Sequence, residues 1–130
     1  MENNEKCCLA KILKVIDILQ KECSPECYPE GCDKPFLGNT EGFNYNNRPI
    51  TLYSKNGNLF TASYYVNNVL TTSSVFRVED VNKCCCKLRI LSTTVEQGVT
   101  TYNSTNEFIT VDLNCFCILS CLDDIYLENL

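Results

Sequence analysis

The sequence predicts a mainly β fold, a single β-sandwich-like domain of about five to seven strands preceded by an N-terminal amphipathic helix. Three observations support this prediction. Apolar residues recur at helical spacing near the start of the chain. An Asn-Gly pair separates two β-rich segments, and further short alternating segments follow. At 130 residues, the chain is long enough to bury one core.

The helix is predicted over residues 5–22, where apolar side chains share one face and lysines occupy the rest of the surface. Asn3 or Asn4 is the predicted N-cap, and Pro25 prevents the helix from continuing. Because this helix is so apolar, we expect it to pack on the domain or on a neighbouring subunit. Its apolar stripe consists of Leu9, Ile12, Leu13, Ile16 and Leu19.

The rest of the chain divides by composition. Residues 1–22 form a helical arm, and residues 23–47 form a cysteine-rich loop punctuated by proline, glycine and asparagine. Residues 48–130 form the β domain, and the three parts make one structural domain. In the β part, "PITLYS" and "NLFTASYYV" flank the Asn-Gly turn, which predicts a hairpin between them. The alternating "SVFRVEDV" predicts the next strand.

The next segment, "CCCKLRILSTTV", also predicts a strand, and the turn-prone "EQGVTTYNSTN" follows it. The last predicted strand covers residues 107–122. Its two-residue period places one set of side chains on a single face. That set is Ile109, Val111, Leu113, Cys115, Cys117 and Leu119.

Composition argues against several classes of function. The net charge of −5 disfavours binding to nucleic acid or to anionic membranes. The apolar runs are much shorter than the ~20 residues of a membrane span. The chain has no histidine, and it carries neither a phosphate-binding loop nor a CxxC redox motif, so an enzyme is not expected. The N-terminal "MENNEKCCLAKILKV" is not typical of a secretory signal, which predicts synthesis in a cytoplasm.

Eleven cysteines are the most informative feature of this chain. Their number is odd, so at least one thiol is free or bonded to another chain. In the predicted strand, Cys84 and Cys86 point to the core face, while Cys85 points to the solvent face with Lys87 and Arg89. Neighbouring cysteines seldom bond each other, because a disulfide needs suitable Cα separation and torsion.

These positions suggest two groups of cysteines. Cys7, Cys8 and Cys85 lie on predicted polar or terminal surface, and we expect them to form bonds between chains. The others are expected to form bonds within the subunit or to be buried thiols, with the pairing left open. This second group comprises Cys23, Cys27, Cys32, Cys84, Cys86, Cys115, Cys117 and Cys121.

Two other interpretations use the same cysteines. Cys23, Cys27 and Cys32 could supply three ligands to zinc, although their spacing departs from that of zinc knuckles. The chain would then be a cysteine-rich zinc-binding adaptor module. A thiol-redox protein would need a cysteine of depressed pKa in a cleft, to which nothing in the sequence points. The pair Asp123 and Asp124 is predicted to be solvated.

Four segments carry a resemblance to a known family. Residues 109–122, "ITVDLNCFCILSCL", are similar to a family motif ITVDLxCFCxxxCL. "VFRVE" at 75–79, "RPITLYSKNGNLF" at 48–60 and "CSPECYPEGCDKPFLG" at 23–38 are similar to further family segments. The sequence thus resembles the spore coat protein Y/Z family (CotY/CotZ) of endospore-forming bacteria, which includes the exosporium basal-layer protein ExsY.

The resemblance implies a structural protein without a cofactor. Such proteins self-assemble into hexagonal two-dimensional lattices on the spore surface and become cross-linked by disulfides. The implied partners are further copies of the chain, as hexamers in a sheet, and other coat or exosporium proteins. The resemblance also implies synthesis in the mother-cell cytoplasm without a signal peptide, followed by deposition on the spore surface and oxidation there.

Overall fold

The computed structural model describes residues 7–22, 46–127 and 130. Within them the chain forms one α-helix, seven strands and a short 3₁₀ turn, so the prediction of a mainly β domain with an N-terminal helix is confirmed. Most of the predicted loop over residues 23–47 lies outside the described residues, and the three-part division of the chain stays a prediction. In chain order the elements are α1 (Cys8–Glu22), β1 (Ile50–Ser54), β2 (Ala62–Val66), β3 (Val69–Ser73), β4 (Val75–Asn82), β5 (Cys85–Glu96), β6 (Val99–Asp112), the 3₁₀ turn (Leu113–Cys115) and β7 (Phe116–Cys121).

Helix α1 packs on its own domain, against β4. Leu13 and Ile16 of the predicted apolar stripe are fully buried in the core. The amide of Gln20 bonds the helix to the sheet, since its Nε2 donates to the Val78 carbonyl at 2.9 Å and its Oε1 accepts from the Arg48 backbone N–H at 3.0 Å. The predicted N-cap, at residue 3 or 4, lies outside the described residues.

The strands form a five-stranded antiparallel sheet in the order β6-β5-β4-β1-β7 and a separate two-stranded ribbon of β2 and β3. The ribbon turns at Asn67 and Asn68, both of which have positive φ, as tight two-residue hairpins require. Helix, ribbon and sheet share one core. Its fully buried members include Leu13, Ile16, Ile50, Leu52, Phe76, Val78, Cys86 and Leu88.

The predicted hairpin between β1 and β2 is only partly correct. The Asn-Gly turn forms, with the Gly57 N–H donating to the Ser54 carbonyl at 2.9 Å and a single bridge between Tyr53 and Leu59. Beyond Phe60 the chain leaves β1, which pairs instead with β4 and β7. The half-buried Phe60 ring packs against the core, 5.5 Å from the Phe76 ring and 5.2 Å from another phenylalanine ring.

The predicted strand over residues 107–122 is interrupted. Asp112 ends β6, and its Oδ1 accepts the Asn114 N–H at 2.9 Å, which caps the 3₁₀ turn. This turn joins the two outer strands of the sheet. Outer strands of a flat five-stranded sheet would lie ~19 Å apart, but four residue steps span at most ~14 Å. The sheet is therefore strongly coiled where the turn crosses.

The face of β4 and β5 opposite the core carries an ion-pair cluster rather than a fully solvated surface. Arg89 lies on this face as predicted, together with Arg77, but both are largely buried. Glu79 Oε2 accepts from Arg77 Nη1 at 2.7 Å and from Arg89 Nε at 2.8 Å, and the Arg89 guanidinium lies 4.5 Å from the centre of the Phe108 ring. Burial raises the pKa of Glu79, but the two arginines outweigh it and lower the pKa below its usual value.

The prediction of a solvated Asp123-Asp124 pair is wrong for Asp124. Its carboxylate accepts from Arg48 Nε at 2.9 Å and from Arg48 Nη2 at 3.3 Å. The Arg48 side chain is only 1% exposed, and the Asp124 side chain is 3% exposed. Asn47 and Ile125 form a bridge beside this ion pair. The C-terminal segment is thus held to the residues that precede β1.

Candidate functional site

Three segments that are distant in sequence meet where the sheet coils. They are the start of α1, the turn between β4 and β5, and the 3₁₀ turn with the start of β7. The Leu113 N–H donates to the Cys84 carbonyl at 2.8 Å, which joins two of the segments. We call the six cysteines on these segments the cysteine-rich end: Cys7, Cys8, Cys84, Cys85, Cys115 and Cys117.

Cys7 and Cys84 form a disulfide within the chain. Their Cα atoms lie 5.8 Å apart, although 77 positions separate them in sequence, and this distance suits a disulfide. The sequence predicts a bond between chains for Cys7, and the structure corrects this. Cys7 does not lie on polar surface, because it precedes the helix on the face turned to the sheet and is 5% exposed.

Cys8 and Cys85 are free and exposed. Cys8 follows Cys7 into the helix and points away from the core. Cys85 points outward on β5 while Cys86 points inward, as the strand period predicts. Bonds from these two cysteines to other chains stay a prediction.

Cys115 and Cys117 are also free and exposed, which corrects their prediction as buried thiols or as partners in bonds within the subunit. The 3₁₀ turn breaks the two-residue period at Cys115, and in β7 Phe116 and Leu119 pack against the core again while Cys117 stays exposed. The Cys117 thiol donates a weak hydrogen bond to the Ser54 carbonyl at 3.3 Å. The signal missed in the sequence is Asp-Leu-Asn at 112–114, where the Asp side chain caps a turn.

Cys86 is a buried thiol in the core. Burial raises its pKa to about 12, and the negative charges of Asp17 and Asp80 add to the effect. A cysteine reacts as its thiolate, so Cys86 is chemically inert in the folded domain.

This predicts selective alkylation. Iodoacetamide at mildly alkaline pH is expected to leave Cys86 almost unmodified in the folded protein while it modifies Cys8 and Cys85, as peptide mass mapping would measure. In denaturant, where burial is lost, Cys86 should react at the rate of the others. Equal modification of Cys86 and Cys85 in the folded protein would contradict its burial.

The remaining cysteines give less information. Cys121 is disulfide-bonded. The proposed zinc ligands Cys23, Cys27 and Cys32 lie outside the described residues. Within 7–22, 46–127 and 130, no group of three or more metal-binding side chains comes together.

Two open grooves flank the Cys7–Cys84 bond. The first has a volume of about 300 Å³ and is lined by both bonded cysteines and by Lys11, Lys14 and Lys83. We call it the lysine groove. The second has a volume of about 510 Å³, and its lining includes Cys7, the exposed Cys8 and Cys117, and Asn114. The disulfide therefore borders a positively charged groove on one side and a groove with free thiols on the other.

Together these features define a small, mainly β, cysteine-rich protein with free thiols on its surface. The chain belongs to the spore coat protein Z family, whose family model matches residues 1–124. Neither the curated proteins nor the solved structures contain a significant match. The resemblance seen in the sequence is thereby confirmed. Membership of this family gives the chain a structural role in the spore coat, with deposition at the spore surface among other coat components.

No helix in the part of the chain that the structure describes is long and apolar enough to cross a membrane.

Proposed function

We propose that this chain is a self-assembling structural protein of the spore surface, whose copies form a hexagonal two-dimensional lattice that disulfides between chains then lock. The observation that carries the proposal is the group of four exposed free thiols at one end of the domain: Cys8, Cys85, Cys115 and Cys117. The domain already has its own core and its own disulfide. Exposed thiols add nothing to that core, and bonds to neighbouring copies are the contribution they can make.

Exposed apolar side chains at two hairpin ends support assembly through packing. The β2–β3 ribbon exposes Tyr65, Val69 and Leu70 near its turn, and the β5–β6 hairpin exposes Val95 and Val99 beside its own. Large apolar side chains grouped on a surface are typical of contacts with other proteins. These ends would order the copies before any covalent bond forms.

The outer strands of the sheet support the same conclusion. β6 is 14 residues long and lies at one edge, and β7 lies at the other. An edge strand presents backbone N–H and C=O groups that another chain can pair with. A sheet with two such edges suits repeated contacts between identical copies.

The cellular setting follows from the same proposal. The protein would be made in the mother-cell cytoplasm, join the outer coat or the exosporium basal layer, and contact other proteins of that layer. Its role would be structural rather than catalytic, and it would need no cofactor. Disulfides between chains would make the layer insoluble, because a covalently bonded subunit can no longer dissociate from it.

Electron microscopy tests assembly, using the purified variant in which Cys8, Cys85, Cys115 and Cys117 are replaced by serine, without reductant so that the Cys7–Cys84 bond stays formed. Ordered sheets or closed hexagonal shells are expected, because packing surfaces rather than disulfides would set the lattice. Dispersed monomers under these conditions, at every protein concentration tried, would contradict assembly through packing.

Replacement of Cys8, Cys85, Cys115 and Cys117 by serine tests locking. Assemblies of this variant are expected to dissolve almost completely in hot detergent without reductant, whereas wild-type assemblies should need reductant. Densitometry of the soluble fraction measures the difference. The variant Cys86→Ala is the matched control, since it removes a thiol that is buried, and it should behave as wild type. Assemblies of the fourfold variant that stay insoluble would contradict the role of these four thiols.

A further inference from the structure

We propose that the Cys7–Cys84 disulfide is itself a reaction site, at which an exposed thiol of a second copy of this chain attacks Cys84 and displaces Cys7. The first bonds between chains would then arise by thiol–disulfide exchange, without an added oxidant. This deepens the proposed function and rests on it, because it names how the cross-links begin.

Access to the disulfide favours attack at Cys84. The sulfur of Cys7 belongs to a side chain that is 5% exposed. Cys84 is half-buried, and it lies in the turn between β4 and β5, where the lysine groove opens. A thiol that enters this groove therefore meets Cys84 first.

The charge of the groove suits the reaction. The attacking species in exchange is a thiolate, and a second thiolate leaves. Nearby lysines stabilise thiolates, and Lys11, Lys14 and Lys83 line the groove. Among its described lining residues there is no carboxylate, although the whole chain carries a net charge of −5. The groove is thus a positive region on an acidic protein, which attracts an incoming thiolate.

The step balances within the two chains. The attacking thiol of the second copy gives its proton to solvent, and its sulfur forms a new S–S bond with Cys84. The Cys7–Cys84 bond breaks, its electron pair stays on the Cys7 sulfur, and that sulfur takes a proton from solvent. One disulfide is lost and one is formed, and the total number of thiols stays the same.

The surroundings of Cys7, the displaced cysteine, can accommodate its new thiol group. The Cys7 sulfur lies 3.5 Å from Asn114 Oδ1, which can accept a hydrogen bond from the S–H group. This is the side of the second groove, which also holds Cys8 and Cys117. After exchange, Cys84 would be bonded to the second copy, and Cys7 would be a free thiol held by Asn114.

The test uses the full chain with its Cys7–Cys84 bond formed, kept free of oxygen and with trace metals chelated. After alkylation stops the reaction, non-reducing gels measure covalent dimers, and a thiol titration in denaturant counts thiols per chain. We expect dimers to form with an unchanged thiol count, and peptide mapping to find Cys84 joined to an exposed cysteine of the other copy.

Three outcomes would overturn the proposal while leaving disulfide locking in place: dimers that appear only with an added oxidant, dimers that lose two thiols per bond, or dimers that keep Cys7–Cys84 intact. A chain that forms no covalent bonds by either route would contradict the proposed function as well.

Two variants separate the roles of bond and groove. Cys7→Ser with Cys84→Ser should abolish oxygen-free dimers but still form dimers with an oxidant. Because loss of the bond also affects folding, a second variant keeps it: Lys11 and Lys83, both changed to glutamine, should slow dimer formation roughly tenfold at low salt, within the usual range of electrostatic steering. The matched control changes Lys21 and Lys87, which line neither groove, to glutamine and has the same net charge. Equal rates for the two lysine variants would show that the groove plays no part.

Discussion

Loss of the Cys7–Cys84 disulfide is expected to lower the free energy of unfolding by about 4 kcal/mol. The bond joins positions 77 residues apart in the sequence, and a loop of this length has much conformational entropy when the chain is unfolded. The bond also fixes the start of α1 to the sheet, at the point where the sheet coils. Chemical denaturation of the variant Cys7→Ala with Cys84→Ala, compared with the oxidised wild type, measures the loss.

The neighbouring cysteines provide the control. Cys8→Ala with Cys85→Ala changes the next residue along each segment, but these residues are exposed and free. This double variant should stay within about 0.5 kcal/mol of wild type, as is usual for surface positions. If the two double variants unfold at the same denaturant concentration, the bond does not stabilise the domain through the entropy of its loop.

The exchange step gives this stabilisation a consequence for assembly. A chain that transfers its disulfide to a neighbour gives up part of its own stability. Packing contacts in the lattice would offset that loss, because anything that binds only the folded chain stabilises it. Exchange would therefore be most favourable in copies that are already seated in a sheet. This order, packing first and covalent bonds second, is also the order that the exposed hairpin ends favour.

Local patterns predicted the parts of this fold that depend on near neighbours. Helical spacing placed Leu13 and Ile16 in the core, and the strand period placed Cys85 outside and Cys86 inside. The Asn-Gly pair predicted the turn at Gly57. Each of these features depends on a few consecutive residues, whose periodicity is visible in a single sequence.

Features that depend on distant residues were missed. The pairing of Cys7 with Cys84 requires a helix end and a strand turn to meet, and cysteine spacing does not determine such pairing. The 3₁₀ turn that exposes Cys115 depends on one Asp side chain that overrides the strand period. The ion pair between Arg48 and Asp124 was missed because a sequence does not show whether an acidic residue is exposed or buried.

Replacement of Arg48 by methionine is expected to lower the free energy of unfolding by about 3–5 kcal/mol, because it removes the guanidinium that compensates the buried Asp124 carboxylate. The ion pair is almost fully buried, so water cannot take the place of the lost partner. The backbone N–H of Arg48, which donates to Gln20, is unchanged by the substitution. Denaturant unfolding of the variant beside wild type measures the loss.

Two further variants decide whether burial is the cause. Lys55→Met makes the same kind of change at an exposed lysine in the turn after β1, so the cost should be within about 0.5 kcal/mol, as is usual for surface positions. Arg48→Met combined with Asp124→Leu removes both charges and should recover much of the stability lost in the single variant, because the Asp124 carboxylate is then no longer left buried without this cation. If Arg48→Met costs no more than Lys55→Met, the Arg48–Asp124 pair is exposed to water in solution, and the C-terminal segment is not held against the residues before β1 in the way the structure shows.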